Sequence, residues 1–364
     1  MNIIVYKFGG ASVKGANEVK NVADILKKIP PQTKCIAVFS AMGKTTNRLE
    51  SILKTFPQTE HLHALTQYHQ EIIDGLYTDE KEKASAQKKL NELLQELHTE
   101  LANNHTNSKD EFYDRIVPFG ERISTCIISQ YLNTANITNT ELDARKVIIT
   151  DNTFRNANVN WQQTENAVNA AATELFKTTD IIVTQGFIGS TEKNTIDADK
   201  PNSYFTGNTK EAQSVTLGRE GSDYSAAIFA YALNASEVTI WKDVSGVLNA
   251  DPKYFSNAIK LERISYWDAT ELAYYGASVI HPKTIKPLQN KNIPLYVRSF
   301  LNPEQEGTTV INAAQNPAYN TEKKIPSYIF KTNQILLSIS PRDFSFIEEN
   351  NLSYIFKTFS QHRI

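Results

Sequence analysis

Short apolar runs alternate along the chain with stretches whose apolar residues recur at helical spacing. The runs fall at residues 3–6, 35–39, 147–149, 181–184, 238–241 and 294–297. The first, β-branched and almost at Met1, reads as a buried strand, and the alternation of strand and helix predicts an α/β domain with a largely parallel sheet. Between residues 55 and 114 the pattern changes to Gln, Glu, Lys and His, with long helical stretches such as EKASAQKKLNELLQELHTEL. A helical hairpin inserted at a sheet edge over about 56–114 is expected, with a polar tip at 103–109. From Leu301 the chain turns to the linker chemistry of NPEQEGTT and NAAQNPAYNTEKKIPS, followed by an alternating strand in SYIFKTNQILLSIS and an amphipathic helix in DFSFIEENNLSYIFKTFSQH. One strand and one helix cannot cover each other's apolar faces. That segment is expected to dock on the main domain, to pair with another chain, or to begin a longer unit.

Composition narrows the partners. At 364 residues the chain suits one large or two medium domains, and 38 basic against 40 acidic residues give no general attraction to nucleic acid or to an anionic membrane. A small-molecule ligand is expected. No apolar run approaches the ~20 residues of a membrane span, and the immediate first strand leaves no room for a signal peptide. Cys35 and Cys126 offer neither a disulfide framework nor metal-ligand spacing and read as reduced core thiols of a cytoplasmic protein. His61, His63 and His69 do not read as a metal site, because His61 and His63 do not share a helix face and no carboxylate completes a set; a solvated helix surface is expected for them.

The candidate chemistry lies where ligands of parallel sheets gather, at the carboxyl ends of strands. KFGGAS (residues 7–12) ends the first strand with two glycines, whose N–H groups can form an anion-binding nest beside Lys7. Gly43-Lys44-Thr45 ends like a phosphate loop of the Walker type, but the required first glycine falls on Val38, and neither an H-R-D nor a D-F-G triplet occurs. SAMGKTTN follows the second strand, and PFGERIS opens a helix with Glu121 near its positive end. In TLGREGSDYSAA, glycines flank Arg219 just before a helix opening at Ser222-Asp223. Backbone donors, a helix N-terminus and a guanidinium fork coincide there, favouring a carboxylate or phosphate. WKDVSGVLNADP leaves a buried strand as a candidate nucleotide rim.

Together, KFGGAS, SAMGKTTN, PFGERIS, TQGFIG, TLGREGSDYSAA, WKDVSGVLNADP and YYGASVIHP, in this order, resemble the aspartate kinases of the amino acid kinase superfamily over about residues 1–310. The resemblance implies a three-layer αβα catalytic domain at 1–310, a linker at 311–327 and the start of a ferredoxin-like ACT regulatory domain at 328–364. It implies transfer of the γ-phosphoryl of ATP, with Mg2+, to the side-chain carboxylate of L-aspartate. The product would be 4-phospho-L-aspartate, the first step toward lysine, threonine and methionine. Lys7, Phe8, Gly9 and Gly10 correspond to the phosphate-contacting lysine and its loop, and Ser40 and Ala41 to a second phosphate turn. Thr46, Glu121, Phe187, Arg219, Glu220, Gly221 and Ser222 fall on aspartate-binding positions, with Glu121 for the α-ammonium and Arg219 for a carboxylate. Asp223 would orient Lys7. Lys242, Asp243, Leu248, Lys253, Ser278 and Val279 fall on nucleotide-contacting positions. Departures from the usual pattern are Ala11, Glu220, Leu248, Lys253 and Ser278.

This chemistry needs no general base, because an aspartate side chain is ionised at neutral pH. His281 is accordingly read as structural. What it needs is cations, since two unit charges about 4 Å apart repel by about 4 kcal/mol at an effective dielectric near 20. Glu121 and Arg219 call for a zwitterionic amino acid without measuring its length. A glutamate-type amino acid kinase therefore stays open, as does a catalytically silent nucleotide- or amino acid-binding relative. The run QILLSIS points to association, most simply as a homodimer.

Overall fold

A computed structural model describes residues 2–103, 108–192, 212–275, 280–316, 319, 325–330, 332, 335, 337–340 and 347–362. The chain divides into two compact units, Met1–Ile329 and Phe330–Ile364. In the first, the described strands are β1 (Asn2–Phe8), β2 (Thr33–Phe39), β3 (Asn139–Leu142), β4 (Ile149–Thr150), β5 (Ile181–Gln185), β6 (Ile188–Thr191), β7 (Ser214–Thr216), β8 (Glu237–Lys242), β9 (Arg263–Ser265), β10 (Leu295–Ser299) and β11 (Thr308–Ile311). The described helices are α1 (Ala16–Lys27), α2 (Thr45–Thr55), α3 (Glu60–Leu76), α4 (Glu80–Ala102), α5 (Lys109–Ile116), α6 (Phe119–Thr134), α7 (Trp161–Leu175), α8 (Gly221–Leu233), α9 (Tyr266–Tyr275) and α10 (Pro282–Lys291).

The main sheet runs β3-β5-β2-β1-β8-β10-β11-β9 and is parallel except where β10 meets β11. Alternate residues of each strand enter opposite cores. Val5, Ile36, Val38, Val238 and Ile240 pack with α7, α8 and α10, whereas Ile4, Tyr6, Phe8, Cys35, Phe39 and Trp241 pack with α1 and α6. The expected α/β class with a mainly parallel sheet between two helical layers is therefore the observed one. The small residues of α8 (GSDYSAAIFAYAL) leave it buried almost all round, lying close beneath β1 and β8.

Several expectations need correction. Residues 147–149 do not form a strand of the main sheet. Val147 and Ile148 follow a 3-10 turn at Ala144–Lys146, and pairing starts at Ile149 in a separate sheet, β4-β6-β7. These residues are apolar because they are buried, which a run of three cannot distinguish from strand. The helical hairpin exists as α3 and α4, but it stacks on α1, α2 and α6 rather than at a sheet edge. Its turn lies between Leu76 and Glu80, and residues 104–107 of the expected polar tip lie outside the described residues.

His69 is fully buried instead of solvated. Its Nδ1 donates to the Leu65 carbonyl at 2.8 Å, its Nε2 lies 3.4 Å from Thr45 Oγ1, and burial lowers its pKa to about 4. In the second unit the expected helix is present at Glu349–Gln361. No described residue of 328–340 is in a strand, and Ile335 and Leu337 are largely exposed, since a strand requires a partner ladder.

Candidate active site

At the carboxyl ends of β1 and β8 a pocket of 510 Å3 opens between the loops that follow β1, β2, β5 and β7 and the N-termini of α2, α6 and α8. Lys7 sits at the penultimate position of β1 and shares its strand face with Val5, so its side chain emerges on the α8 side. There its Nζ lies 2.6 Å from Asp223 Oδ1, and the Lys242 Nζ from β8 lies 3.4 Å from the other oxygen. Asp223 and Lys7 are both buried. Burial pushes the Asp223 carboxyl up, but the charges of Lys7 and Lys242 outweigh it and hold the group below its ordinary range. One acid thus fixes two ammonium groups from neighbouring parallel strands.

The loops around this triad are packed to backbone contact. Gly43 N–H donates to the Gly10 carbonyl at 3.0 Å, and a Cβ on Gly10 would lie only 2.8 Å from the Ala41 carbonyl oxygen. The two glycine turns therefore interlock, and only glycine fits at position 10. Ser40 N–H donates to the Phe8 carbonyl at 3.1 Å, while the Phe8 ring is buried, stacked on Phe39 and Trp241. Phe8 itself does not line the pocket. On the far wall, Ser222 at the start of α8 leaves no room for a side chain at Gly186.

Glu121, in the first turn of α6, is the most unusual group in the pocket. Its Oε1 accepts from Ala41 N–H at 3.3 Å, and its Oε2 is buried with no hydrogen-bond partner. Burial raises its pKa to about 8, against the lowering effect of backbone hydrogen bonds from its own N–H and from Ala41. A buried carboxylate with one oxygen unanswered is a receptor for a donor, and an ammonium group restores its charge.

Thr46, Phe187, Arg219, Glu220, Gly221 and Ser222 line the same pocket, together with Lys7, Gly10, Ser40, Ala41, Asp223 and Lys242. Glu220 thus stands in the wall of the pocket. This residue adopts a left-handed conformation (φ 54°) just before α8, its Oε2 is buried and lacks a hydrogen-bond partner, and its field acts on His281. His281 caps α10, its Nδ1 accepting from Lys283 N–H at 3.2 Å, in keeping with a structural role. Gly9 lies beside Lys7 Nζ without lining the pocket. Asp243, Leu248 and Lys253 lie beyond it, on the connection after β8. Ser278 and Val279 lie outside the described residues.

Sequence reasoning missed Tyr113 and Arg155, which line the pocket along with Thr216 and Gly218 of the TLGREGSDYSAA run, and Asp114 behind them. The Asp114 carboxylate is buried and accepts from Arg155 N–H at 2.8 Å, from Thr216 N–H at 2.9 Å and from Thr216 Oγ1 at 2.7 Å. Burial raises its pKa to about 6, partly offset by these bonds. An arginine inside the turn-rich run DNTFRNAN was the one local signal available.

The chain matches the model of the amino acid kinase family over residues 2–299. It is 30% identical over 351 residues to "Aspartokinase 1, chloroplastic" of Arabidopsis thaliana, covering 92% of this chain and 56% of that protein. It is also 30% identical over 342 residues to "Lysine-sensitive aspartokinase 3" of Escherichia coli, covering 93% of this chain and 69% of that protein. Among solved structures, Escherichia coli aspartokinase III in complex with aspartate and ADP superposes with a TM-score of 0.74 at 29% identity, covering 85% of this chain and 65% of that one. The chain thus spans between about half and about two thirds of the length of these relatives. With the family pattern covering its first unit almost end to end, the chain belongs to the amino acid kinase family, on its aspartokinase branch.

Proposed function

We propose that the chain is an aspartate kinase, transferring the γ-phosphoryl of ATP to the side-chain carboxylate of L-aspartate to give 4-phospho-L-aspartate. The observation that carries this reading is one pocket holding the Lys7-Asp223-Lys242 triad together with the unanswered carboxylate of Glu121 and the guanidinium of Arg219. The solved relative that contains both aspartate and ADP supports it.

In this reading the nucleotide phosphates lie along the Gly9-Gly10 and Ser40-Ala41 turns, against Lys7 and Lys242. Asp223 holds both lysines in place without cancelling them, since one carboxylate stands against two ammonium groups. Glu121 takes the α-ammonium, and Arg219 with the first N–H groups of α8 takes a carboxylate. Phe187 closes the wall and Thr46 adds a hydroxyl. The acceptor carboxylate arrives already ionised, so catalysis consists of positioning and of compensating negative charge. Mg2+, which this reading implies, would sit with the nucleotide phosphates and supply further charge compensation.

The segment 328–364 is proposed as the beginning of a regulatory ACT-like module after a linker at 311–327. Its exposed Ile335 and Leu337 favour pairing with a second copy of the chain. No described helix is long and apolar enough to cross a membrane. Two free cysteines suit the cytoplasm. The kinase reading is tested by trapping the acyl phosphate as a hydroxamate with ATP and Mg2+ present. Product from L-aspartate, with little from L-glutamate or N-acetyl-L-glutamate, is expected. Product from glutamate alone would overturn the substrate, and none from any of the three would overturn the activity.

A further inference from the structure

Arg155 lies in the connection between β4 and α7 and has φ +66°, a left-handed conformation that is unfavourable for a long side chain and free of strain for glycine. Strain of this kind persists where the surroundings over-determine it. Here they do so through Asp114, whose buried carboxylate binds the Arg155 N–H and both donors of Thr216. Thr216 ends β7, two residues before Gly218 and three before Arg219. The two connections also touch directly, because Ala157 N–H donates to the Thr216 carbonyl at 3.0 Å and a Cβ on Gly218 would lie 3.3 Å from the Arg155 carbonyl oxygen. One buried acid thus holds the Arg155 and Arg219 loops in a common frame.

The Arg155 guanidinium lies 4.0 Å from the centre of the Tyr113 ring, and the Tyr113 hydroxyl is itself anchored by donation to Glu50 Oε1 at 2.9 Å. A guanidinium held over an aromatic face can still present N–H donors from its edge, an arrangement that suits a carboxylate. Its ion pair with Asp110 is long, 3.4 Å, and partly exposed, so it contributes little and can yield to a ligand. Both Arg155 and Tyr113 line the pocket. A dicarboxylic amino acid brings two negative groups there, one of which is the acceptor and must face the Lys7 end. In this reading Lys7 and Lys242 face the nucleotide phosphates, which leaves Arg155 and Arg219, the two arginines lining the pocket, for the other.

We propose that Arg155 is a specificity-determining residue, a second guanidinium that joins Arg219 in holding the α-carboxylate of the amino acid substrate. The inference rests on the reading of this pocket as an amino acid site. Its test is steady-state kinetics with L-aspartate and with its α-amide, which keeps the acceptor carboxylate and the ammonium but lacks the α-charge. The variants are Arg155→Gly, which relieves the backbone strain, and Arg155→Lys, which keeps the charge and loses the fork. Both variants are expected to raise the KM for aspartate by roughly 10- to 100-fold, the glycine variant more. The KM for the α-amide and that for ATP should change less than about twofold, because neither carries the lost contact. Equal rises for aspartate and the α-amide, or no rise for either, would overturn the role of Arg155 while leaving the kinase reading intact. A wild-type protein that phosphorylates neither compound would overturn the kinase reading and this inference with it, a result seen before any variant is compared.

Discussion

Replacing Glu121 by Gln removes the charge of the pocket's buried acid while keeping its shape. In the wild-type protein with no amino acid bound, burial holds this carboxyl at a pKa of about 8 rather than the ordinary 4.5. The native state therefore carries a proton that the unfolded chain has lost between those values. The stability linked to this residue is fully present below about pH 4.5 and is lost as pH rises toward 8, by about 3 kcal/mol between pH 5.5 and pH 8.5. The glutamine variant lacks this loss, so in urea unfolding it should gain on the wild type by that amount over the interval.

Binding carries the opposite requirement, because the ammonium of the substrate needs the carboxylate form. The ionised fraction of a group with pKa about 8 rises about 25-fold from pH 6.5 to pH 8.5, and the wild-type KM for aspartate should fall by about that factor at saturating ATP. In Glu121→Gln the profile should be flat, with KM at pH 8.5 raised roughly 10- to 100-fold by the lost charged hydrogen bond. The assay is ADP release coupled to NADH oxidation across the pH range. An equal pH slope in variant and wild type would refute the assignment of Glu121 to the ammonium.

Three further perturbations probe the rest of the arrangement. Lys7→Met should lower kcat by at least about 1000-fold with little change in aspartate affinity by calorimetry, and equal kcat would refute its role at the phosphates. It also leaves Asp223 with only the longer contact to Lys242, so its melting temperature should drop and recover in the double variant with Asp223→Asn, without return of activity. Arg219→Lys should raise the KM for aspartate about tenfold and that for ATP less than about twofold; equal effects would give Arg219 another task. His69 is neutral in the fold down to about pH 4 but takes a proton near pH 6.5 when unfolded, so its contribution is present above that value and falls by about 2 kcal/mol between pH 7 and pH 4.5. His69→Phe should abolish that part of the acid sensitivity in urea titrations, and an unchanged slope would contradict the burial argument.

What could be read in the sequence was local. KFGGAS and TLGREGSDYSAA each combine a strand end or helix start with glycines and one charged side chain, so the places of Lys7, Arg219 and Asp223 follow from short-range rules. Glu121 could be placed on its helix, but its unanswered oxygen depends on Ala41 and on burial in the folded pocket. Beyond the turn-rich setting of Arg155, the grouping of Arg155, Tyr113 and Asp114 left no local trace, because it is made across a carboxylate that bridges α5 to the β4–α7 connection and to the end of β7. His69 was misread for a related reason: one polar residue on a polar helix carries no sign that α3 closes over Thr45 at the foot of α2. The tail illustrates the converse, since alternation in SYIFKTNQILLSIS describes a strand only when another strand is there to pair with it.

In the proposed reaction, one pocket brings an ionised amino acid carboxylate up to a nucleotide phosphate beside Lys7. The most direct measurement is a crystal structure of the chain with L-aspartate, ADP and Mg2+. The α-ammonium is expected against Glu121, the α-carboxylate at Arg219, and the side-chain carboxylate directed at the nucleotide next to Lys7. Aspartate bound away from Glu121, or a nucleotide whose phosphates lie far from Lys7, would contradict this arrangement.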